Sequence, residues 1–280
     1  MSGGIQPPSP ASKPRGTAAD RGFRLNRRRE SSRSALSRRT PVMISILLLT
    51  AAIQLPDVVF AQVSPAGERD QEQAARIELL GARIRSYIDS LHVAGTEAVF
   101  TLGKGGNAPQ DAIEKMNRVL DGTFRNPEAH RISSAVQAWG RRIRGEFSDL
   151  GEPLIDRIVV HKNAHTARLY HGEAMLLETP IAVGNPEIGK ATPDGSYNVL
   201  YIDFKPISRW RRGNVPYGHE YNPYGSRQIP FYQNWTMHGN NDASALGKDI
   251  SKGCVRFHNS EILVIAEFVT AIHTRVEVIP

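Results

Sequence analysis

Cys254 is the single cysteine among 280 residues, and it lies in the run Ser251-Lys252-Gly253-Cys254-Val255-Arg256. A thiol works as a nucleophile when positive charge favours its thiolate, a base takes its proton, and N–H donors hold the oxyanion of the intermediate. The run supplies two cations, Lys252 and Arg256, and a glycine that frees the backbone beside the sulfur. His238, followed by Gly239, ends an apolar stretch upstream and is the base candidate. With one cysteine no intramolecular disulfide forms, so the thiol is either a small inert core residue or is kept for its reactivity.

These residues need a scaffold, and from Arg157 onward the chain offers short β-branched runs: 158–160, 167–170, 176–183, 197–202 and 235–238. Asn163-Ala164-His165 and His171-Gly172-Glu173 stand where hairpins reverse, and Thr192-Pro193-Asp194-Gly195 is a further turn. Asn259 is expected to cap a helix over 260–271 with Ile262, Ile265, Phe268, Val269 and Ile272 on one face, before a last strand at 276–279. This spacing predicts a sandwich or barrel rather than a parallel βαβ fold.

Upstream, Ile77, Leu80, Ile84, Tyr87, Ile88 and Leu91 recur at helical spacing from Asp70 on. A glycine-rich loop (Gly103, Gly105, Gly106) leads to a second helical run at 109–120. It lacks the spacing of a phosphate loop and is read as a connector. A third helix starts with Asn126 as cap and Pro127 at its first position, burying Ile132, Val136, Trp139 and Ile143.

The ordered set Thr192-Pro193-Asp194-Gly195-Ser196-Tyr197, Asn222-Pro223-Tyr224-Gly225, Met237-His238-Gly239, Leu246-Gly247 and Ser251–Arg256, with Asn259 opening a helix, resembles the catalytic domain of peptidoglycan L,D-transpeptidases over residues 157–280. The resemblance implies a mostly β, sandwich- or barrel-like catalytic domain with a short C-terminal helix. In that family the cysteine is acylated by the third residue of a stem tetrapeptide, releasing a terminal D-amino acid. An amine of a neighbouring stem then resolves the thioester into a 3-3 cross-link.

Carried over, Cys254 is the nucleophile, His238 the general base and later acid, and the Gly239 carbonyl orients the imidazole. The backbone N–H groups of Gly253 and Cys254 form the oxyanion site, and Arg256, Ser251 and Lys252 bind substrate. Many members have histidine at the position of Lys252; a lysine there takes an electrostatic or binding role, not that of a neutral base. His258 with His238 and Cys254 would resemble a zinc set, but the resemblance accounts for Cys254 and His238 without metal, and it implies no cofactor. The same acyl-enzyme would also serve an L,D-carboxypeptidase, D-amino-acid exchange, or attachment and release of an envelope protein. A non-catalytic wall-binding module is the alternative of another class.

Hydrophobic residues at 40% and charged residues at 22% exclude wholesale disorder and a polytopic membrane protein. Of 35 Lys/Arg and 28 Asp/Glu, 10 and 2 fall in residues 1–41, so the remaining 25 and 26 nearly cancel. The basicity is that of the leader, and no nucleic-acid partner is expected. Residues 42–55 are apolar but short of a span, and small residues precede Gln62, so a secretory signal cleaved after Ala61 is expected. Membrane contact is then confined to that signal or anchor, and the protein is placed in the periplasm or cell envelope, with stem peptides as partners. The expected organisation is a disordered leader and signal at 1–61, a helical accessory region at 62–156, and the catalytic domain at 157–280. The segment Ser208-Arg209-Trp210-Arg211-Arg212 is read as either a rim over the site or a solvated loop.

Overall fold

The computed structural model describes residues 65–101, 114, 117–119, 121–210 and 213–280. The leader and signal, the glycine-rich loop and most of the run at 109–120 lie outside the described residues. Among the described residues no helix is long and apolar enough to cross a membrane.

Helix α1 (Pro65–Val93) begins five residues before the expected start at Asp70. Leu80, Ile84, Ile88 and Leu91 form its buried stripe. Burial of each such side chain is worth roughly 1.5–3 kcal/mol, which makes the helix part of the core rather than an appendage. It packs on strand β3 (Ala174–Pro180), where the Arg85 guanidinium donates to the Leu176 carbonyl at 2.5 Å. The short helix α2 (Thr96–Phe100) follows. Helix α3 (Pro127–Glu146) starts as its sequence requires: the Asn126 side chain accepts from the Ala129 N–H at 3.0 Å, with proline in the first turn. Trp139 stacks on Tyr87 of α1 at 4.0 Å and meets Phe268 edge-on. The helices and the β region therefore share one hydrophobic cluster.

Strands β1 (Arg157–His161), β2 (Thr166–His171) and β3 form an antiparallel meander, with His165 and Gly172 at positive φ in its turns. With β12 (Arg275–Ile279), parallel to β1, and β5 (Gly195–Asn198) they build a five-stranded sheet in the order β3-β2-β1-β12-β5. Val183–Gly184 (β4) and Asp249–Ser251 (β10) pair parallel, and Ser208–Trp210 (β6) pairs with Gly213–Val215 (β7) as a hairpin. The sheet that carries the chemistry has three strands, β11-β9-β8, formed by Gln228–Tyr232 (β8), Trp235–His238 (β9) and Val255–Arg256 (β11). The architecture is mostly β with helices from the N-terminal side, as expected. Three of the pairings, β1–β12, β9–β11 and β4–β10, are nonetheless parallel.

Two expected elements end early. The strand at 197–202 stops at Asn198 because the chain changes sheets: the Val199 N–H goes to Thr274 and the Leu200 N–H to Pro230 of β8. Helix α4 spans only Asn259–Ile265, all buried, instead of 260–271. Beyond it the Phe268 carbonyl accepts from the Ile155 N–H, and the Glu267 carbonyl accepts from Arg144. Ile272, expected on the buried face, is 69% exposed at positive φ.

Candidate active site

β9 and β11 run parallel with Met237 opposite Val255 and His238 opposite Arg256. Side chains alternate along a strand. Met237 and Val255 are fully buried on one face, so His238 and Arg256 share the other. Cys254, immediately before β11, falls by the same alternation on the His238 face. Arg256 and the Tyr224 hydroxyl both sense the sulfur electrostatically.

His238 is 4% exposed, and its Nδ1 lies 2.6 Å from the Gly239 carbonyl. A carbonyl only accepts, so Nδ1 carries the proton and Nε2 keeps its lone pair. The Tyr224 ring stands edge-on to the imidazole, centroids 5.4 Å apart. Burial first, and the Arg256 charge second, push the His238 pKa down to about 3, against the pull of the Gly239 and Pro223 carbonyls. Burial also pushes the Cys254 thiol up, outweighing the Thr236 backbone amide and Arg256, which favour the thiolate. Of the two cations in the run, Lys252 is exposed and Arg256 is the one that acts on the thiol, and desolvation outweighs it. At rest the thiol and the imidazole are both neutral.

The loop that presents the sulfur is held from inside. The Ser251 hydroxyl, 1% exposed, donates to the Cys254 carbonyl at 2.6 Å and accepts from the Gly253 N–H at 3.1 Å. Two expectations change here. Ser251 orders the loop instead of facing a ligand, and the Gly253 N–H is already bonded, so it is not a ready oxyanion donor. Gly253 has φ +110°, and a Cβ there would stand 2.1 Å from the indole nitrogen of Trp235. On its other side lies Gly184, whose N–H donates to the Thr192 hydroxyl at 2.8 Å. The Thr192–Tyr197 motif thus supports the cysteine loop through Gly184. The Arg256 guanidinium is half-buried, and its Nε has no hydrogen-bond partner among the described residues.

A second set of contacts fixes the histidine side. Asn259 is fully buried; its Oδ1 accepts from the Ser226 N–H at 2.9 Å and the Asn240 N–H at 3.3 Å, and its Nδ2 donates to the Asn240 carbonyl at 2.7 Å. A Cβ on Gly225 or Gly239 would lie 2.2 or 2.3 Å from that Oδ1, so both must be glycine. Asn259 is not the helix cap expected of it. His258 is the N-cap, and Glu97 of α2 does the capping work by accepting from the Asn259 and Ser260 N–H groups at 2.9 and 2.8 Å. Glu97 also accepts from Asn259 Nδ2 at 3.1 Å and from the Ser260 hydroxyl. His258 faces this cluster, edge-on to His92. A lone glutamate in a helical run carries no signal that would have singled Glu97 out. Tyr224 was visible only as part of the Asn222–Gly225 motif. In that motif Asn222 accepts from the Tyr224 N–H and donates to the Pro206 carbonyl, folding the turn against His238. His219 is 3% exposed and accepts from the Tyr221 N–H at 3.0 Å.

Residues 155–278 match the family model of the L,D-transpeptidase catalytic domain. The YkuD protein of Bacillus licheniformis is 34% identical over 125 residues, covering 44% of this chain and 66% of its own. The YqjB protein of Bacillus subtilis is 31% identical over 93 residues, 31% of this chain and 52% of its own. The chain thus spans between about half and two thirds of the length of these curated relatives. Among solved structures, an L,D-transpeptidase from Enterococcus faecium matches with TM-score 0.37 and 20% identity over 45% of this chain and 51% of its own. One from Mycobacterium smegmatis matches with TM-score 0.36 and 18% identity over 44% and 58%. The family match spans both halves of the site, the His238 strand and the Cys254 loop, and it is over residues 155–278 that the chain matches the L,D-transpeptidase catalytic domain.

Proposed function

We propose that the protein is a cysteine-dependent acyltransferase of the cell envelope, an L,D-transpeptidase that joins peptidoglycan stem peptides by 3-3 cross-links. The observation that carries this reading is the imidazole of His238. It is locked by Gly239 into the tautomer whose free Nε2 accepts a proton, on the face of the sheet that carries Cys254.

In this mechanism Sγ attacks the carbonyl of the third stem residue while its proton passes to Nε2 of His238. Because thiol and imidazole both rest neutral, proton transfer accompanies C–S bond formation instead of preceding it. The developing negative charge stabilises the imidazolium that burial otherwise disfavours. The Cys254 N–H is the oxyanion donor that the loop can offer, since Gly253 is bonded to Ser251. The imidazolium then protonates the departing amine of the terminal D-amino acid, leaving a thioester. An acceptor amine attacks the thioester, its proton goes to Nε2, and the thiol is regenerated. Arg256, whose charge acts on Cys254 and whose Nε has no partner among the described residues, suits a stem carboxylate. Lys252, exposed at the rim, adds positive charge only.

Incubation with disaccharide-tetrapeptide tests the reading. A cross-linked dimer lacking one D-alanine, absent with Cys254→Ala, is expected. Tripeptide alone would move the assignment to an L,D-carboxypeptidase.

A further inference from the structure

Beside the reacting centre, Tyr224 lines a cavity of about 270 Å³ together with Tyr201, Lys205, Ile207 and Arg209. Lys205 and Ile207 also line a second cavity of about 310 Å³, which reaches Phe124, Arg125 and His130 of the helical region. Phe124 and Arg125 in turn line a third, of about 490 Å³, bounded by Arg118, Gly218 and His219. The shared lining residues place the three cavities side by side, from Tyr224 to the start of α3, as the parts of one groove. Each part is close to the roughly 300–1,000 Å³ typical of ligand sites.

The groove is built and charged. Its wall is sealed where Asn126 Nδ2 donates to the Gly218 carbonyl at 2.6 Å; Gly218 lies so close to α3 that a Cβ would stand 2.6 Å from that of Ala129. Arg125 donates to the Gly122 and Phe124 carbonyls, and among the described residues no carboxylate pairs with it. Lys205 is exposed and has no ion-pair partner among the described residues. Four cations, Arg118, Arg125, Lys205 and Arg209, line the cavities with two carboxylates, Asp203 and Glu220, and Asp121 outside the lining faces Arg118. The carboxylates flank opposite ends, leaving the middle positive. His130 registers this field: after burial, the charges of Lys205 and Arg125 are what depress its proton affinity.

Resting on the reading above, we propose that this groove is a second substrate subsite that holds an extended, carboxylate-bearing stem peptide of an adjacent peptidoglycan strand, with the helical region supplying one wall. Apolar and aromatic surfaces (Ile207, Phe124, Tyr224) suit the peptide's apolar parts, and Lys205 and Arg125 suit its carboxylates.

The test compares the full chain with Lys205→Glu alone and with Lys205→Glu/Arg125→Glu. Binding of a cross-linked disaccharide-tetrapeptide dimer is measured in a Cys254→Ala background, and the rate of Cys254 labelling by a carbapenem is measured in the otherwise native chain. The subsite predicts roughly tenfold weaker dimer binding for the double variant, a smaller loss for Lys205→Glu, and a flatter salt dependence in both. It predicts carbapenem labelling within about twofold of the parent, because the small probe reports the catalytic face alone. Unchanged dimer binding with normal labelling would overturn the subsite and leave the acyl-transfer reading standing. Absence of carbapenem labelling and of cross-linking in the parent chain would overturn that reading, and the stem-peptide ligand with it.

Discussion

Replacing Glu97 by alanine should damage a site to which, on its sequence, it has no evident connection. Its carboxylate accepts from the N–H groups of Asn259 and Ser260, from Asn259 Nδ2 and from the Ser260 hydroxyl. Loss of an N-cap costs about 0.5–2 kcal/mol, and each hydrogen bond to a charged group about 1.5–3 kcal/mol. The Glu97 side chain is 22% exposed, so water recovers part of this. The expected total is about 2–3 kcal/mol, or a midpoint lowered by roughly 5–10 °C. Glu97→Gln, which keeps one acceptor oxygen, should cost about 1 kcal/mol. Urea unfolding measures the first effect. The second readout is carbapenem labelling of Cys254 well below the midpoint, expected to slow about tenfold. It slows because Asn259, freed from Glu97, no longer fixes Asn240 and the Gly239 carbonyl that orients His238. A loss under about 0.5 kcal/mol, or labelling unchanged in a folded but destabilised variant, would refute the linkage between α2 and the histidine.

Gly253→Ala must either shift Trp235 or abandon φ +110°. It should cost roughly 1–3 kcal/mol and greatly slow Cys254 labelling; near-parental labelling and stability would show that the loop is not held as described. Stability should also follow the protonation of His238. Its folded pKa of about 3 lies below the ordinary 6.5, so the unfolded chain takes up a proton that the folded one refuses. The contribution is complete above pH 6.5 and is lost progressively as the pH falls towards 3, reaching about 5 kcal/mol at 1.36 kcal/mol per unit. Urea midpoints between pH 7 and 4.5 should fall less steeply in His238→Gln than in the parent, and equal slopes would contradict a buried neutral imidazole. For the thiol, the rate of iodoacetamide alkylation should still be rising at pH 9.0, because burial raises Cys254 above that value; a plateau below pH 8 would mean a resting thiolate.

How far the sequence led depended on whether a residue's partners were local. Strand β9 and the cap of α3 were legible because alternation and an Asn-Pro start are contiguous signals. Strand β8 was not. Pro230 interrupts its pattern, and the proline is tolerated because β8 lies at the end of the three-stranded order. β4 and β11 have two residues each, too short to show a period. Helix α4 was overextended because apolar spacing continues past Ile265, while the carbonyls that would prolong the helix turn to Arg144 and Ile155. At the site, the motifs singled out Cys254 and His238, and the fold sets the strand that ends in His238 beside the one that follows Cys254. The protonation states could not, since they depend on burial that outweighs the visible charges. Nor could the work of Ser251, Asn259 and Glu97, whose partners are supplied by folding.

In the proposed mechanism Cys254 carries the acyl group. Intact-mass analysis of the protein quenched during turnover of disaccharide-tetrapeptide tests it directly. The account predicts an adduct equal to the substrate less one D-alanine, located on the peptide containing Cys254 and absent from Cys254→Ala. Cross-linked product formed by Cys254→Ala, or turnover by the parent with an adduct on another residue, would contradict it.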